Sequence, residues 1–145
     1  MVCLGNICRS PIAEGVLEHM AAQNGLNWTV DSAGTSGWHN GEQPDRRAIA
    51  TCKAKGIDIT RQRSRKLTRS DFETFDLILT MDGSNLRDVL ALAGTEQQRQ
   101  KVSPILEYAG ITRTEVPDPY YDGRFQEVYE LLWESCQNII AKHTD

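Results

Sequence analysis

The spacing of apolar positions changes several times along the chain, and each change marks an element. Met1-Val2-Cys3-Leu4 reads as the end of a first strand, shorter than the roughly five residues usual for a buried one. From Pro11 to Asn24 the apolar positions recur at helical spacing, with Ile12, Val16 and Met20 on one stripe and Ala13, Leu17 and Ala21 beside it. Gly25 then offers the left-handed residue that commonly stops a helix. Trp28-Thr29-Val30-Asp31 reads as a second strand, and Ser32 to Gly41 as a polar loop around Trp38. A second helix is expected over Asp45 to Lys55, ended by Gly56. Thr68-Arg69-Ser70-Asp71 is like a capping box with Asp in place of the usual Glu. Asp76-Leu77-Ile78-Leu79-Thr80-Met81 is the clearest buried strand. Ser84-Asn85 opens another helix, and Lys101 to Leu106 reads as a fourth strand that Pro104 places near an edge. The last helix is the most periodic, its inner face formed by Phe125, Val128, Leu132, Cys136, Ile139 and Ile140. Strands alternating with helices predict an α/β fold with a parallel sheet covered on both faces. Ligands of such sheets sit beyond the carboxyl ends of the strands, near a topological switch point.

At 145 residues the chain is expected to form one domain, 1–145, large enough for a substantial core. A net charge of −4 argues against nucleic-acid binding, which favours a basic face. No apolar run reaches membrane-spanning length, so no membrane partner is expected. Cys3 lies too near Met1 for a removable leader to precede it. The cysteines Cys3, Cys8, Cys52 and Cys136 form neither a CxxC pair nor a zinc spacing, and His19, His39 and His143 are scattered. No metal and no cofactor are therefore expected. Free thiols suit a reducing compartment and predict a cytoplasmic protein.

One short segment carries chemistry. In Val2-Cys3-Leu4-Gly5-Asn6-Ile7-Cys8-Arg9-Ser10-Pro11, Cys3 and Arg9 bracket five residues. Such a loop can curl its backbone N–H groups around an anion, close the ring with a bidentate guanidinium, and hold a thiolate at its floor. Gly5 permits close backbone approach and Asn6 tolerates left-handed geometry. Ser10-Pro11 reads as N-cap and first helical residue, aiming a helix dipole at the same anion. The plainer alternative is a buried structural Cys beside a surface Arg. A second segment, Val116-Pro117-Asp118-Pro119-Tyr120-Tyr121-Asp122-Gly123, holds Asp118 between two prolines, where a carboxyl could protonate a leaving-group oxygen. Its alternative is a proline-rich turn closed by an Asx bond.

Taken together, VCLGNICRSP, VDSAGTSGW, FDLILTMDGSNLRD and DPYYDG resemble, in order, the low-molecular-weight protein tyrosine phosphatases. The resemblance implies a flavodoxin-like three-layer sandwich on a four-stranded parallel sheet. It also implies metal-free hydrolysis of phosphotyrosine in a protein or peptide, through a phosphocysteine, with phosphate and other oxyanions as ligands. Carried over, Cys3 is the nucleophile, Arg9 the phosphate clamp and Asp118 the general acid. Leu4, Gly5, Asn6, Ile7 and Cys8 supply N–H groups, and Ser10 bonds the Cys3 sulfur. Asn6 and Ser32 brace the loop, while Trp38, Tyr120 and Tyr121 wall the entrance, one tyrosine facing the cleft and the other packing. The family also favours Cys8 as a disulfide partner for Cys3 under oxidants, against a simple filler. The sequence departs from the family at Gln62, where relatives commonly carry a histidine, and this leaves bracing through Asp82 open. Cys52 and Cys136 read as core, the three histidines receive no role, and Arg61, Arg63, Arg65, Lys66 and Arg69 read as a solvated basic face. An arsenate reductase would share the loop but relay oxidation through further cysteines, and none lies between Cys52 and Cys136. A phosphotyrosine-binding module without turnover would have no need of the Cys3, Arg9 and Asp118 set.

Overall fold

The structure, a computed structural model, describes residues 1–144, so the last residue of the expected 1–145 domain lies outside the described residues. Four strands form one sheet in the order β2-β1-β3-β4: β1 (Val2–Cys3), β2 (Ala33–Gly34), β3 (Ile78–Thr80) and β4 (Val102–Pro104). Every pairing is parallel, with Val2 opposite Ala33 and Thr80, and Ile78 opposite Val102. Neighbouring residues of a strand face opposite ways, and the packing follows this period of two. Cys3 and Leu79 join a core built mainly on α1 (Arg9–Gln23), the helices α2 (Arg46–Lys53) and α8 (Phe125–Thr144), and the turn Ile105–Tyr108. Val2 and Ile78 join a smaller core with Phe72 of α3 (Asp71–Thr74) and Val89 of α4 (Gly83–Leu92). The result is the three-layer α/β sandwich of the flavodoxin type expected from the sequence.

The two long helices behave as their periodicity requires. Ile12, Ala13, Val16, Leu17, Met20 and Ala21 of α1 are buried, as are all six inner-face residues of α8. Asn24 closes α1, and Gly25 at φ 67 turns the chain so that its N–H donates to Ala22 O and that of Leu26 to Ala21 O. These are the paired bonds of a Schellman stop. Asp45 caps α2, Gly56 at φ 80 follows it, and Asp71 reaches back to accept from the Thr68 N–H, as a capping-box Glu would.

Several expectations are corrected. The second strand is Ala33–Gly34, and residues 28–31 are irregular. Val2 pairs with Ala33, so Trp28–Val30 runs past the ladder partners that β1 offers, and Asp31 O instead accepts from the Met1 amino group. The strands expected over 76–81 and 101–106 are trimmed to three residues each, and Ile105–Tyr108 turns helical as α5 (Glu96–Arg99) does before it. If these short turns are counted in order, Ile105–Tyr108 is α6 and Pro119–Asp122 is α7. Among the described residues, no helix is long and apolar enough to cross a membrane.

Candidate active site

The Cys3–Arg9 loop joins the carboxyl end of β1 to the start of α1, between β2 and β3, where the strand order reverses. Five of its carbonyls are occupied. Cys3 O accepts from Thr35 N, Leu4 O from Ser36 N, Gly5 O from the Ser64 hydroxyl, Ile7 O from Asp45 N and Cys8 O from Ile12 N. Among the described residues, no N–H of Gly5 to Cys8 donates to a protein acceptor. These four N–H groups are therefore free to donate outside the chain. Asn6 makes the curl of the loop possible: at φ 56 it is the one non-glycine residue with positive φ among those described. Its side chain secures that conformation, with Nδ2 donating to Ser10 Oγ (2.8 Å) and Ser32 Oγ (2.9 Å) and Oδ1 accepting from Arg65 N (3.1 Å). Gly34 lets the neighbouring strand pass close, since a Cβ there would lie 2.8 Å from Leu4 O.

Helix α1 starts at Arg9, two residues earlier than the sequence suggested, with Cys8 at the N-cap position and no side chain capping it. Ser10 is therefore inside the first turn rather than at the cap. Its hydroxyl instead lies 3.0 Å from Cys3 Sγ. The Arg9 guanidinium is buried. Nη1 donates to Asp82 Oδ2 (2.7 Å) and Val116 O (3.0 Å), and Nη2 lies 3.7 Å from Asp118 Oδ2. Burial opposes its charge, yet the Cys3 sulfur, Asp82 and Asp118 together hold its pKa above the ordinary value. Asp82 thus supports the loop by fixing the guanidinium, and the same residue caps α4 through Asn85 N. Gln62 donates to Pro11 O, on the first turn of α1, and takes no part in that contact.

Asp118 is extended between its prolines and caps α7 by accepting from Tyr120 N (3.1 Å), so the acid reading and the Asx-turn reading describe one residue. Tyr120 and Tyr121 meet edge to face at 4.9 Å, and Arg47 donates to Tyr120 O. The expectation that one tyrosine packs inside is not met: Tyr121 is 90% exposed and Tyr120 39%. Trp38, 77% exposed, is no core residue. Leu4 is exposed and Ile7 partly so, while Cys8 is buried and its thiol is pushed far up by burial and then by Asp45. Cys52 and Cys136 are core residues with thiols raised by burial to about 12.

Two participants escaped the sequence reading. Arg65 is not part of a solvated face: besides its N–H on Asn6, it pairs with Asp31 and doubly with Asp71. Glu14 accepts from Ser32 Oγ at 2.6 Å, and burial pushes its carboxyl up to about 7 against that bond. The available signal was position alone, since Glu14 stands one helical turn after Ser10. The histidines lie apart from this network. His143 meets Tyr108 and Trp28, and His39 pairs with Glu42, although its ring packs near Gly5.

Over residues 1–144 the chain matches the family model described as low molecular weight phosphotyrosine protein phosphatase. The chain belongs to that family. A low molecular weight phosphotyrosine protein phosphatase of Schizosaccharomyces pombe is 43% identical, the match covering 96% of this chain and 92% of the relative. A protein tyrosine phosphatase of Entamoeba histolytica, solved with Hepes in its active site, superposes with a TM-score of 0.91 at 40% identity, covering 97% of this chain and 92% of that one. A Drosophila arginine phosphatase superposes with a TM-score of 0.92 at 33% identity, covering 99% and 96%. The protein is accordingly a protein tyrosine phosphatase, a hydrolase of phosphotyrosine monoesters that works through a phosphocysteine intermediate.

Proposed function

We propose that residues 1–145 act as one phosphatase domain in which Cys3 is the nucleophile, Arg9 the phosphate clamp and Asp118 the general acid and base. The observation that carries this reading is the run of Gly5–Cys8 N–H groups without a protein acceptor among the described residues, between Cys3 and the buried Arg9 guanidinium that Asp118 approaches. A phosphate dianion offers the acceptors those groups lack, and the incoming oxygens replace the Asp118 contact on Nη2. The Ser10 hydroxyl lies 3.0 Å from the Cys3 sulfur, and α1 begins where the loop ends, directing the positive end of its dipole at the bound anion. The sulfur attacks phosphorus in line, Asp118 protonates the departing oxygen, and the same carboxylate then activates water to release phosphate from Cys3. Charge on the equatorial oxygens is held by the Leu4–Cys8 N–H groups and Arg9. Asn6, Ser32 and Asp82 hold this frame in place.

The preferred ligand is a tyrosine-phosphorylated protein or peptide. Leu4, Trp38, Tyr120 and Tyr121 are exposed, and with the half-buried Ile7 they offer apolar and aromatic surface on the loop and on the segments expected to wall the entrance, which suits a phenyl ring. The four free thiols suit a cytoplasmic setting.

The test combines three variants. Cys3→Ser should abolish turnover while still binding phosphate; near-normal turnover would remove Cys3 from its role. Asp118→Asn should slow phenyl phosphate far more than p-nitrophenyl phosphate, because the poorer leaving group needs its oxygen protonated; equal losses would exclude Asp118 as the acid. Trp38→Ala should raise KM for a phosphotyrosine peptide more than for a small alkyl phosphate, and the unaltered enzyme should favour phosphotyrosine over phosphoarginine.

A further inference from the structure

The hydrogen bonds around Asn6 have a direction. Its Nδ2 has two protons, and both are spent, one on Ser10 Oγ and one on Ser32 Oγ. Each serine therefore accepts from Asn6 and has its own proton left to give away. Ser10 stands 3.0 Å from Cys3 Sγ, and a thiolate there can only accept. Ser32 donates to Glu14 Oε1 at 2.6 Å. The chain thus runs outward from one amide to two terminal acceptors: the sulfur at the floor of the site and a carboxyl on the next turn of α1. Hydrogen bonds in series polarise one another. A charged acceptor on Ser32 strengthens the acceptance of Ser32 from Asn6, and that bond keeps the strained Asn6 backbone, and with it Ser10, in register.

We propose that Glu14 is a positioning residue of the active site, whose carboxylate, acting through Ser32 and Asn6, holds the Ser10 hydroxyl on the Cys3 sulfur.

The surroundings make the charge on Glu14 responsive. Burial is the largest influence on it, and Asp31 and Glu18 oppose its ionisation further. The Met1 amino group at the start of β1 and the Ser32 hydroxyl favour ionisation. Arg65 is spent on Asp31 and Asp71. Gln62, bonded to the α1 turn that precedes Glu14, adds no charge, and its Oε1 is buried without a partner among the described residues. Protonation near neutral pH therefore weakens one end of the chain while the Arg9 contacts with Asp82 and Asp118 are unchanged.

The inference rests on Cys3 as nucleophile, and Cys3→Ser measured alongside tests that reading separately. If Cys3→Ser is inactive and the Glu14 variants behave as the native enzyme, the Glu14 role alone has failed. The experiment measures kcat and KM for p-nitrophenyl phosphate from pH 5.5 to 8.5 in Glu14→Ala, Glu14→Gln, Ser32→Ala and the Glu14→Ala/Ser32→Ala pair, with thermal melts to confirm folding. Glu14→Ala should lose about tenfold in kcat with KM within twofold. Glu14→Gln, which keeps an acceptor but no charge, should match the native enzyme at pH 5.5 and fall two- to threefold behind at pH 8.5. The paired variant should be no slower than Ser32→Ala. A deficit in Glu14→Gln that is the same at every pH, or additive losses in the pair, would overturn the proposal. Should Glu14→Ala fail to fold, the pH dependence of Glu14→Gln decides by itself.

Discussion

Cys8 shows how one residue can hold two readings until its surroundings are known. It is buried at the N-cap position of α1, and burial and Asp45 keep it a thiol. As a packing residue that is sufficient. As a partner for an oxidised Cys3 it is a slow one, because attack on a sulfenic acid needs a thiolate. The two cysteines sit five positions apart on one curled loop. Peroxide followed by dithiothreitol should restore most activity to the native enzyme. Cys8→Ser should lose activity faster and permanently. Equal recovery in both would leave Cys8 as a filler. Bound phosphate should slow the oxidation in either case, by occupying the ring and fixing the loop.

Between elements, the decisive relation is how closely β2 passes the loop. Gly34 carries no Cβ, and one added there would stand 2.8 Å from Leu4 O and 3.2 Å from Asn6. Leu4 O also accepts from Ser36 N, so the carbonyl cannot retreat without breaking a bond that keeps it turned outward. Gly34→Ala should therefore cost about 1–3 kcal/mol of stability, the usual range for overpacking, and at least tenfold in kcat/KM. A melt and steady-state kinetics measure both; a drop in stability with unchanged kinetics would mean that the strand moves and the loop does not. This contact was not legible beforehand, because nothing in SAGTSGW says which glycine is crowded. What was legible is what period and spacing encode: the faces of α1 and α8, the Cys3–Arg9 loop between strand and helix, and Asp118 between its prolines. Strand ends were not, since a ladder stops where its partner stops, as at residues 28–31. Nor was the role of Arg65, whose neighbours in sequence are exposed cations while its neighbours in space are Asp31 and Asp71.

For the molecule as a whole, Glu14 sets a slope of stability against pH. Its carboxyl titrates near 7 in the folded protein against an ordinary 4.5, so between these values the folded state holds a proton that the unfolded chain has released. Stability from this group is greatest below about 4.5 and falls as pH rises to about 7, beyond which it is level. The buried Met1 amino group, lowered by burial, works in the opposite direction: its contribution rises with pH up to its ordinary 8.0. The difference between the native enzyme and Glu14→Gln isolates the carboxyl. Glu14→Gln should be more stable at pH 8 by about 1–2 kcal/mol, the full shift being discounted for partial solvent access, and the gap should close near pH 4.5. Chemical denaturation at the two pH values measures it; a gap independent of pH would assign the effect to packing. A carboxylate that steadies the loop while loosening the fold is a local expense of function.

All four cysteines are free and buried; Cys3 opens the loop, while burial keeps Cys8, Cys52 and Cys136 as thiols. The molecule therefore carries a built-in gauge of its own opening. A small alkylating reagent should consume one equivalent quickly at Cys3 and abolish activity with it. Later equivalents can be consumed only as fast as the other three sulfurs are uncovered. Cys8 should follow at the rate at which the loop relaxes. Cys52 and Cys136, held on α2 and α8 of one core, should react together, at the rate at which those helices part. A time course of label by mass would then separate loop motion from global unfolding in one unmodified protein, with phosphate slowing only the first two events.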